Sequence, residues 1–261
     1  MQAFILSIRS EFYKSRKTLA LWSAVILPVV ICSLVCFGYF SNSAKLVNTP
    51  AMVQWLRYMG SVMGVMGILL LPMFVIFTTY SVNNLEHRSE MWKSLFSLPL
   101  NKWSIYSSKY FFTVILHIIC LALFASMILA TGNLLGTLKP ELKFQEYSVS
   151  TLAYRLHLKL FLSSLGIISI QFLLSLIWSD FLKPMGLGFI GTIMGLIAAN
   201  TGWKYAYTIP YAHPALALQL NSTKGKVPSV DLFTKEIGVS LAVAVIAYIL
   251  GYFIVARRSV K

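Results

Sequence analysis

Residues 60–82 read GSVMGVMGILLLPMFVIFTTYSV, a run of 23 residues without a charged side chain. The hydrocarbon core of a bilayer is about 30 Å thick, and a helix crosses it in roughly 20 residues, so this run is long enough to span a membrane. The sequence therefore predicts an all-α, polytopic membrane protein with six transmembrane helices. The five further apolar runs lie at 19–40, 110–132, 158–178, 185–201 and 238–256.

The overall composition fits a bilayer better than water. Hydrophobic residues make up 57% of the 261-residue chain and charged residues 11%, a balance that one water-soluble core could not bury. A closed β-barrel would show alternating apolar and polar residues, whereas these runs are continuous. The first run, of about 22 residues, exceeds the roughly 7 to 15 of a cleavable signal peptide, so we expect it to remain in the mature protein.

The three cysteines all lie inside predicted spans. A disulfide framework has no role there, so Cys32, Cys36 and Cys120 are interpreted as small buried hydrophobic residues. Cys32 and Cys36 share a helix face, but no third metal ligand is near them in the sequence. The sequence therefore predicts no metal site.

Basic residues indicate the orientation of the spans. Lys and Arg are somewhat concentrated in the amino-terminal leader, the loop at 86–110 and the carboxy-terminal tail. Short basic flanks stay on the inner side of a membrane, so we expect both termini and this loop in the cytoplasm. Anionic lipid headgroups at that surface explain the net charge of +14, and no nucleic acid partner is expected.

No linker divides the chain, and residues 1–261 are predicted to form a single transmembrane domain. Residues 1–18 are predicted to form an amphipathic helix in the membrane interface, because their apolar residues recur at helical spacing. The alternative is a basic leader with no fixed structure. The apolar face consists of Phe4, Ile5, Ile8 and Phe12, and the residues available to lipid headgroups are Arg9, Lys14, Arg16 and Lys17.

Two outer segments carry aromatic residues. Trp55 and Tyr58 lie in the predicted first outer loop, residues 41–59, and are interpreted as interface anchors. Residues 202–226 contain a weakly apolar run too short to span, which predicts a short helix or a re-entrant segment. His213 precedes a proline there, so its backbone is expected to be extended. The segment is either an aromatic belt at the interface or a gate.

Polar groups that could support chemistry inside the membrane are scarce. His117 and Gln171 are the best candidates, with Asn200 near a span end. The eight acidic residues lie in loops or flanks, and the chain contains no HExxH, GxSxG or GxxxxGK[ST] motif. We therefore predict that the chain is not an enzyme and has no catalytic, cofactor-binding or metal-binding residues. Its energy would come from another subunit.

Glycines recur at helical spacing in two predicted spans. Gly60 and Gly64 lie in the second span, and Gly191 and Gly195 form a GxxxG pair in the fifth. Small residues at this spacing let two helix backbones approach closely. Both pairs are candidates for packing within one chain or at an interface between subunits.

Residues 86–110, EHRSEMWKSLFSLPLNKWSIYSSKY, separate the second and third spans and are dense in charges and aromatic rings. Apolar residues fall on one side of a helical wheel for about two turns, until Pro99 ends the helix. So short a helix is marginal by itself in water. Its apolar face must therefore be covered, either by lipid headgroups or by a groove in a soluble protein. That face consists of Met91, Trp92, Leu95, Phe96 and Leu98.

These residues resemble the first cytoplasmic loop of type-2 ATP-binding-cassette (ABC) permeases. The sequence FILSIRSEFYKSRK at 4–17 is similar to the amphipathic connecting helix of the same family, and the six-span layout fits it too. Within the family the chain looks closest to the bacterial lantibiotic-immunity and bacitracin-type permeases. Asn101 differs from the serine of many relatives. The residues that carry the resemblance are Glu86, Arg88, Trp92, Leu95, Leu98, Pro99 and Lys102, with IYSSK at 105–109.

The resemblance implies two protein partners in a bacterial cytoplasmic membrane. One is a cytoplasmic ABC ATPase subunit, which would hold the ATP and Mg²⁺, and the other is a second permease copy or a paralogue. The implied function is export of an amphipathic peptide antibiotic, lipid or drug-like molecule. Alternatives are a non-transporting membrane anchor or regulatory subunit, and an intramembrane enzyme that uses His117. The ATPase would dock on a coupling helix through Glu86, Arg88, Glu90, Met91, Trp92, Leu95, Phe96, Leu98 and Pro99.

Overall fold

The computed structural model describes residues 2–47, 49–88, 101–219 and 229–257, without the side chains of residues 2, 3 and 88. Within these ranges the chain is helical, and six helices are long and apolar enough to cross a membrane, which confirms the predicted fold class. In chain order the helices are α1 (Gln2–Ser15), α2 (Leu19–Ser41), α3 (Ala51–Val65), α4 (Leu71–Arg88), α5 (Lys102–Leu138), α6 (Ser150–Ile177), α7 (Leu182–Asn200), α8 (His213–Ala217) and α9 (Lys235–Arg257).

The second span consists of α3 and α4, joined by the π-helical turn Met66–Leu70. This turn ends two residues before Pro72. Proline lacks a backbone N–H, and in a regular α-helix its ring would clash with the carbonyl four residues earlier. A π turn widens the helix and accommodates that ring. Gly67 lies within the turn, and a Cβ there would stand 3.3 Å from Cγ of Leu218. The turn therefore leaves room for a segment that follows α7.

Most spanning helices extend beyond their apolar runs. Helix α5 has 37 residues, and it begins where the Asn101 side chain accepts a hydrogen bond from the Trp103 backbone nitrogen at 2.9 Å. Such a cap satisfies an N–H group that has no partner within the helix. Polar residues outside the hydrocarbon core can thus continue a helix that hydropathy alone cuts short.

Trp55 and Tyr58 are buried inside the bundle, and their assignment to an outer loop as interface anchors was wrong. Both lie in α3 with at most 1% of their surface exposed. Trp55 Nε1 donates to the Phe144 carbonyl at 2.8 Å, and the Tyr58 hydroxyl donates to Thr131 Oγ1 at 2.6 Å. Polar residues near them interrupt the apolar run, but the helix continues and turns both rings inward.

Helix α1 packs against the start of α5. The Phe12 and Phe112 rings meet edge to face at 4.8 Å, and Phe4 contacts Trp103 and Phe111. The predicted amphipathic helix is present, but part of its apolar face contacts protein. Ile5, by contrast, is 63% exposed.

Between α7 and α9 the chain forms the short 3₁₀ turns Ala206–Thr208 and Pro210–Ala212, followed by α8. Gly202, with φ of +68°, reverses the chain directly after α7, a conformation that glycine adopts without a steric cost. The predicted extended backbone at His213 was wrong, since its φ of −58° and ψ of −43° are helical. His213 Nε2 donates to the Tyr207 carbonyl at 2.8 Å, which favours the helical conformation despite the following proline.

Candidate functional site: a buried charge cluster

Four charged side chains meet where α4 ends and α5 begins. Lys109 Nζ lies 3.0 Å from Glu11 Oε2 and 2.5 Å from Glu86 Oε2. Lys14 Nζ lies 3.3 Å from the Oε1 atom of each of the same two carboxylates. Each lysine thus bridges both acids. We call Glu11, Lys14, Glu86 and Lys109 the charge cluster.

Three members of the charge cluster are almost completely removed from solvent, whereas the Lys14 side chain is 28% exposed. Glu86 and Lys109 are 0% exposed and Glu11 is 3% exposed. Buried charges are tolerated when they are paired, and here two carboxylates face two ammonium groups, so the formal charges cancel. Burial lowers the pKa of Lys14, but the charges of Glu11 and Glu86 and its hydrogen bonds to both outweigh this effect and raise the pKa above the ordinary value. Lys14 therefore stays protonated at neutral pH.

Three helices supply the charge cluster. Glu11 and Lys14 are three residues apart and lie on the same face of α1. Glu86 lies in the last turn of α4, and Lys109 lies two turns into α5. The cluster therefore connects α1 to the two helices that flank residues 89–100. Lys14, which the sequence assigned to lipid headgroups, is occupied by this internal contact.

The start of α5 is also fixed to the last spanning helix. The Tyr106 hydroxyl donates to the Tyr248 carbonyl at 2.7 Å, and the Tyr248 hydroxyl lies 2.6 Å from Ser107 Oγ. Lys102 Nζ donates to the Ala256 carbonyl at 3.1 Å, near the end of α9, where a cation is favoured by the helix dipole. A displacement of the α5 start would thus act on α1, α4 and α9 together.

The predicted coupling helix lies mostly outside the described residues. Those of its predicted site residues that fall there are Glu90, Met91, Trp92, Leu95, Phe96, Leu98 and Pro99. Arg88 is the last residue of α4. Glu86 points into the bundle, where it pairs with Lys109 and Lys14, instead of presenting its carboxylate at an accessible surface.

The two glycine pairs have different surroundings. A Cβ at Gly60 or Gly64 would meet no atom of the described structure within 4 Å. A Cβ at Gly191 would stand 2.9 Å from the Tyr211 ring, and one at Gly195 would stand 2.6 Å from the Ala212 nitrogen. The absence of side chains at Gly191 and Gly195 therefore allows the segment after α7 to pack closely on this helix. Gly60 and Gly64 instead leave open space beside α3.

That open space is part of an apolar groove of about 490 Å³ between α3, α7 and the segment around α8. Side chains of Met59 and Met63 line one wall, and Leu218 lines another. Asn200 and Gln219 provide amide groups, and none of the described residues that line the groove is charged. The groove is thus suited to an apolar chain with an uncharged or weakly polar end.

The polar candidates within the spans take structural roles. His117 is 0% exposed, and its Nδ1 pairs with the Thr113 carbonyl one turn earlier at 2.9 Å. Gln171 Nε2 donates to the Tyr211 hydroxyl at 2.5 Å, and Asn200 Nδ2 donates to the Leu196 carbonyl at 2.9 Å. In the part of the chain that the structure describes, no group of three or more His, Cys, Asp or Glu side chains could hold a metal ion. The arrangement of these side chains supports mechanical linkage between the helices.

The charge cluster was not predicted from the sequence. Glu11 is the single acid among the first 18 residues, and it lies three residues before Lys14, a pattern that indicates an ion pair on one helix face. Nothing in the spacing shows that Lys109, 98 residues away, completes the cluster. That pairing depends on the tertiary packing of α1 against α5.

Taken together, the six spanning helices and the buried charge cluster define a multi-pass α-helical membrane protein in which α4 and α5, the helices on either side of residues 89–100, are both tied to α1. The chain belongs to the ABC-2 family of transporter proteins. The model for ABC-2 family transporter proteins matches residues 7–195, which is more than half of the chain and includes all four residues of the charge cluster. Searches of curated proteins and of solved structures find no match. Family membership identifies the chain as the membrane component of an ABC transporter, that is, a permease.

Proposed function

We propose that the chain is the permease of an ATP-driven exporter in a bacterial cytoplasmic membrane, with both termini in the cytoplasm. A separate ABC ATPase, holding the ATP and Mg²⁺, would dock on the helix predicted within residues 89–100. The observation that carries this proposal is the charge cluster, since it ties both helices flanking that loop to α1. A rigid linkage of this kind could pass a displacement of the loop to the spans.

The cargo we propose is amphipathic, such as a peptide antibiotic, a lipid or a drug-like molecule. The apolar groove supports this class because methionine and leucine side chains line it, with the amides of Asn200 and Gln219 among them. Methionine side chains adapt to varied apolar shapes. A small hydrophilic or strongly charged cargo would find no charged partner among the described residues of this groove.

We further propose that two permease chains, identical or paralogous, act together. Gly60 and Gly64 support this, because small residues allow close approach of another helix. The apolar groove that both glycines line would then open beside the contact between the two chains. The single domain of residues 1–261 would then be half of the transport unit.

The proposal is tested by purifying the tagged chain from its own cells in mild detergent and identifying co-purified ATPase subunits. We expect Trp92→Ala with Phe96→Ala to abolish co-purification, because truncation removes the large rings of the apolar face that the ATPase groove would accept. Membrane insertion should be unchanged.

The matched control is Trp203→Ala with Tyr205→Ala, which removes two rings that are 49% and 46% exposed outside the loop. This control should retain the ATPase. Equal retention by both double variants would contradict docking on the loop. A chain that carries no ATPase at all would instead be a membrane anchor or regulatory subunit.

A further inference from the structure

Residues 206–219, which we call the re-entrant segment, fold back along α7 and pack between it and the other helices. Gly195 contacts the backbone of Tyr211 and Ala212, and Gly195 lies five residues before the end of α7, which is about 7 Å at 1.5 Å per residue. The Tyr211 ring extends further, to Gly191, about 14 Å from either end of α7. The chain enters after Asn200 and thus reaches half the depth of this helix.

The tip of the re-entrant segment is held by one polar contact. The Tyr211 hydroxyl accepts from Gln171 Nε2 at 2.5 Å, and Gln171 is 0% exposed. Gln171 lies six residues before the end of α6, or about 9 Å from it. A Cβ at Gly188 would collide with the Gln171 amide, so the small residues of α7 clear the space for both side chains.

The backbone of the re-entrant segment is largely satisfied from within. Ile209 donates to Ala206 at 3.1 Å, Ala212 donates to Ile209 at 2.9 Å, and His213 donates to the Tyr207 carbonyl at 2.8 Å. Backbone groups at membrane depth need such partners. Because these bonds close locally, the segment could shift as a unit while keeping them.

The same segment forms one wall of the apolar groove. Ala215, Leu218 and Gln219 line the groove opposite α3, and Leu218 packs on Gly67 in the π-helical turn. The width of the groove therefore depends on where the segment sits. Its anchors are the Tyr211–Gln171 contact and the bond from Gln219 Nε2 to the Ala199 carbonyl at 3.2 Å.

We propose that Tyr211 and Gln171 form a latch that holds the re-entrant segment against α6 and α7 and keeps the groove narrow. This inference rests on the proposed function, because the groove is assigned there to amphipathic cargo. Tyr211 is then a positioning residue, and cargo enters the groove only when the latch opens.

The latch is tested by hydrogen exchange of residues 206–217 in the full chain, reconstituted in lipid nanodiscs. Tyr211→Phe keeps the ring and removes the hydroxyl, so we expect opening to become roughly 5–30-fold more frequent. Gln171→Leu should have a similar effect, and the double variant should exceed neither single one, because the two side chains act through one bond. Tyr205→Phe, at a ring 46% exposed, is the control and should match the wild type.

A second measurement separates a latch from a merely structural bond. A lysophosphatidylcholine with a diazirine on its acyl chain is photo-cross-linked to the chain in the same nanodiscs. The cross-linking yield on residues 56–68 is then compared between the variants and the wild type. We expect a higher yield in Tyr211→Phe than in wild type and in Tyr205→Phe. Three results would each overturn the latch. One is unchanged hydrogen exchange in Tyr211→Phe, and the second is faster exchange with an unchanged cross-linking yield. The third is additive effects of Tyr211→Phe and Gln171→Leu on exchange.

Neither measurement requires the ATPase. If the chain binds no ATPase yet shows both changes, the latch is supported and the proposed function is contradicted. If the chain binds the ATPase but shows neither change, only the latch is contradicted.

Discussion

Replacing Lys109 by methionine removes one charge from the centre of the cluster and keeps a similar volume. The Glu11 and Glu86 carboxylates then share a single cation, Lys14, at 3.3 Å from each. Removing one partner from a buried ion pair costs about 3–5 kcal/mol, because an uncompensated charge remains in a low-dielectric site. We expect this loss in the free energy of unfolding, measured by titration from dodecyl maltoside micelles into SDS.

Two comparisons make the Lys109 prediction specific. Lys139→Met breaks an ion pair with Glu141 whose side chains are 32% and 41% exposed, and it should cost no more than about 1 kcal/mol. Adding Glu86→Gln to Lys109→Met restores equal numbers of charges, leaving Glu11 with Lys14, and should recover much of the loss. A cost for Lys109→Met no larger than that for Lys139→Met would contradict a stabilising role of Lys109 in the charge cluster, and a double variant less stable than the single one would contradict charge balance as the cause.

Two further predictions concern the re-entrant segment and the glycines. Burial lowers the pKa of His213, and the Tyr207 carbonyl and the Glu236 charge offset only part of this effect. The segment should therefore be fully stable above the ordinary histidine pKa of about 6.5 and lose stability below it. Hydrogen exchange of the segment, corrected for the intrinsic pH dependence of exchange, should be faster at about pH 5 than at about pH 7.5. His213→Gln should remove this difference. In the monomeric chain Gly64→Ala should raise the free energy of unfolding by about 0.5–1 kcal/mol, because a Cβ there would meet no described atom within 4 Å. Gly195→Ala should lower the free energy of unfolding by about 1–3 kcal/mol, because its Cβ would stand 2.6 Å from the Ala212 nitrogen. In SDS titrations, a destabilising Gly64→Ala and a stabilising Gly195→Ala would contradict the open surroundings of Gly64 and the close packing at Gly195.

Hydropathy was sufficient to predict the six spans, because each needs a long apolar run and the bilayer sets its length. It was insufficient for the ends of the helices. Gln54 and Arg57 interrupt the apolar pattern, yet α3 continues through both, and the inward face of that helix carries Trp55 and Tyr58. Polar residues near a membrane surface do not by themselves end a helix.

The charge cluster shows a second limit of single-sequence reasoning. The pair of Glu11 and Lys14 follows from helical spacing, but its pairing with Glu86 and Lys109 depends on how α1 crosses the bundle. The apolar residues of α1 indicated an amphipathic helix without showing what would cover them. The structure places Phe12 on Phe112, and this packing brings the charges together.

The re-entrant segment was predicted as one of two possibilities. Its length excluded a full span, but aromatic residues suit both an interface belt and a buried tip. Trp203 and Tyr205 remain about half exposed, whereas Tyr211 inserts beside Gly191 and Gly195. The glycine spacing in the sequence indicated close packing, and the structure identifies this segment as the partner.

In the proposed transporter an ATPase docks on residues 89–100, and its motion enters the bundle there. The most direct measurement compares ATP hydrolysis by the co-purified subunit, reconstituted in liposomes with the wild-type chain or with the Trp92→Ala and Phe96→Ala variant. We expect the wild-type chain to bind the ATPase and stimulate hydrolysis, and the variant to do neither. Equal binding and equal stimulation by the two chains would contradict this docking.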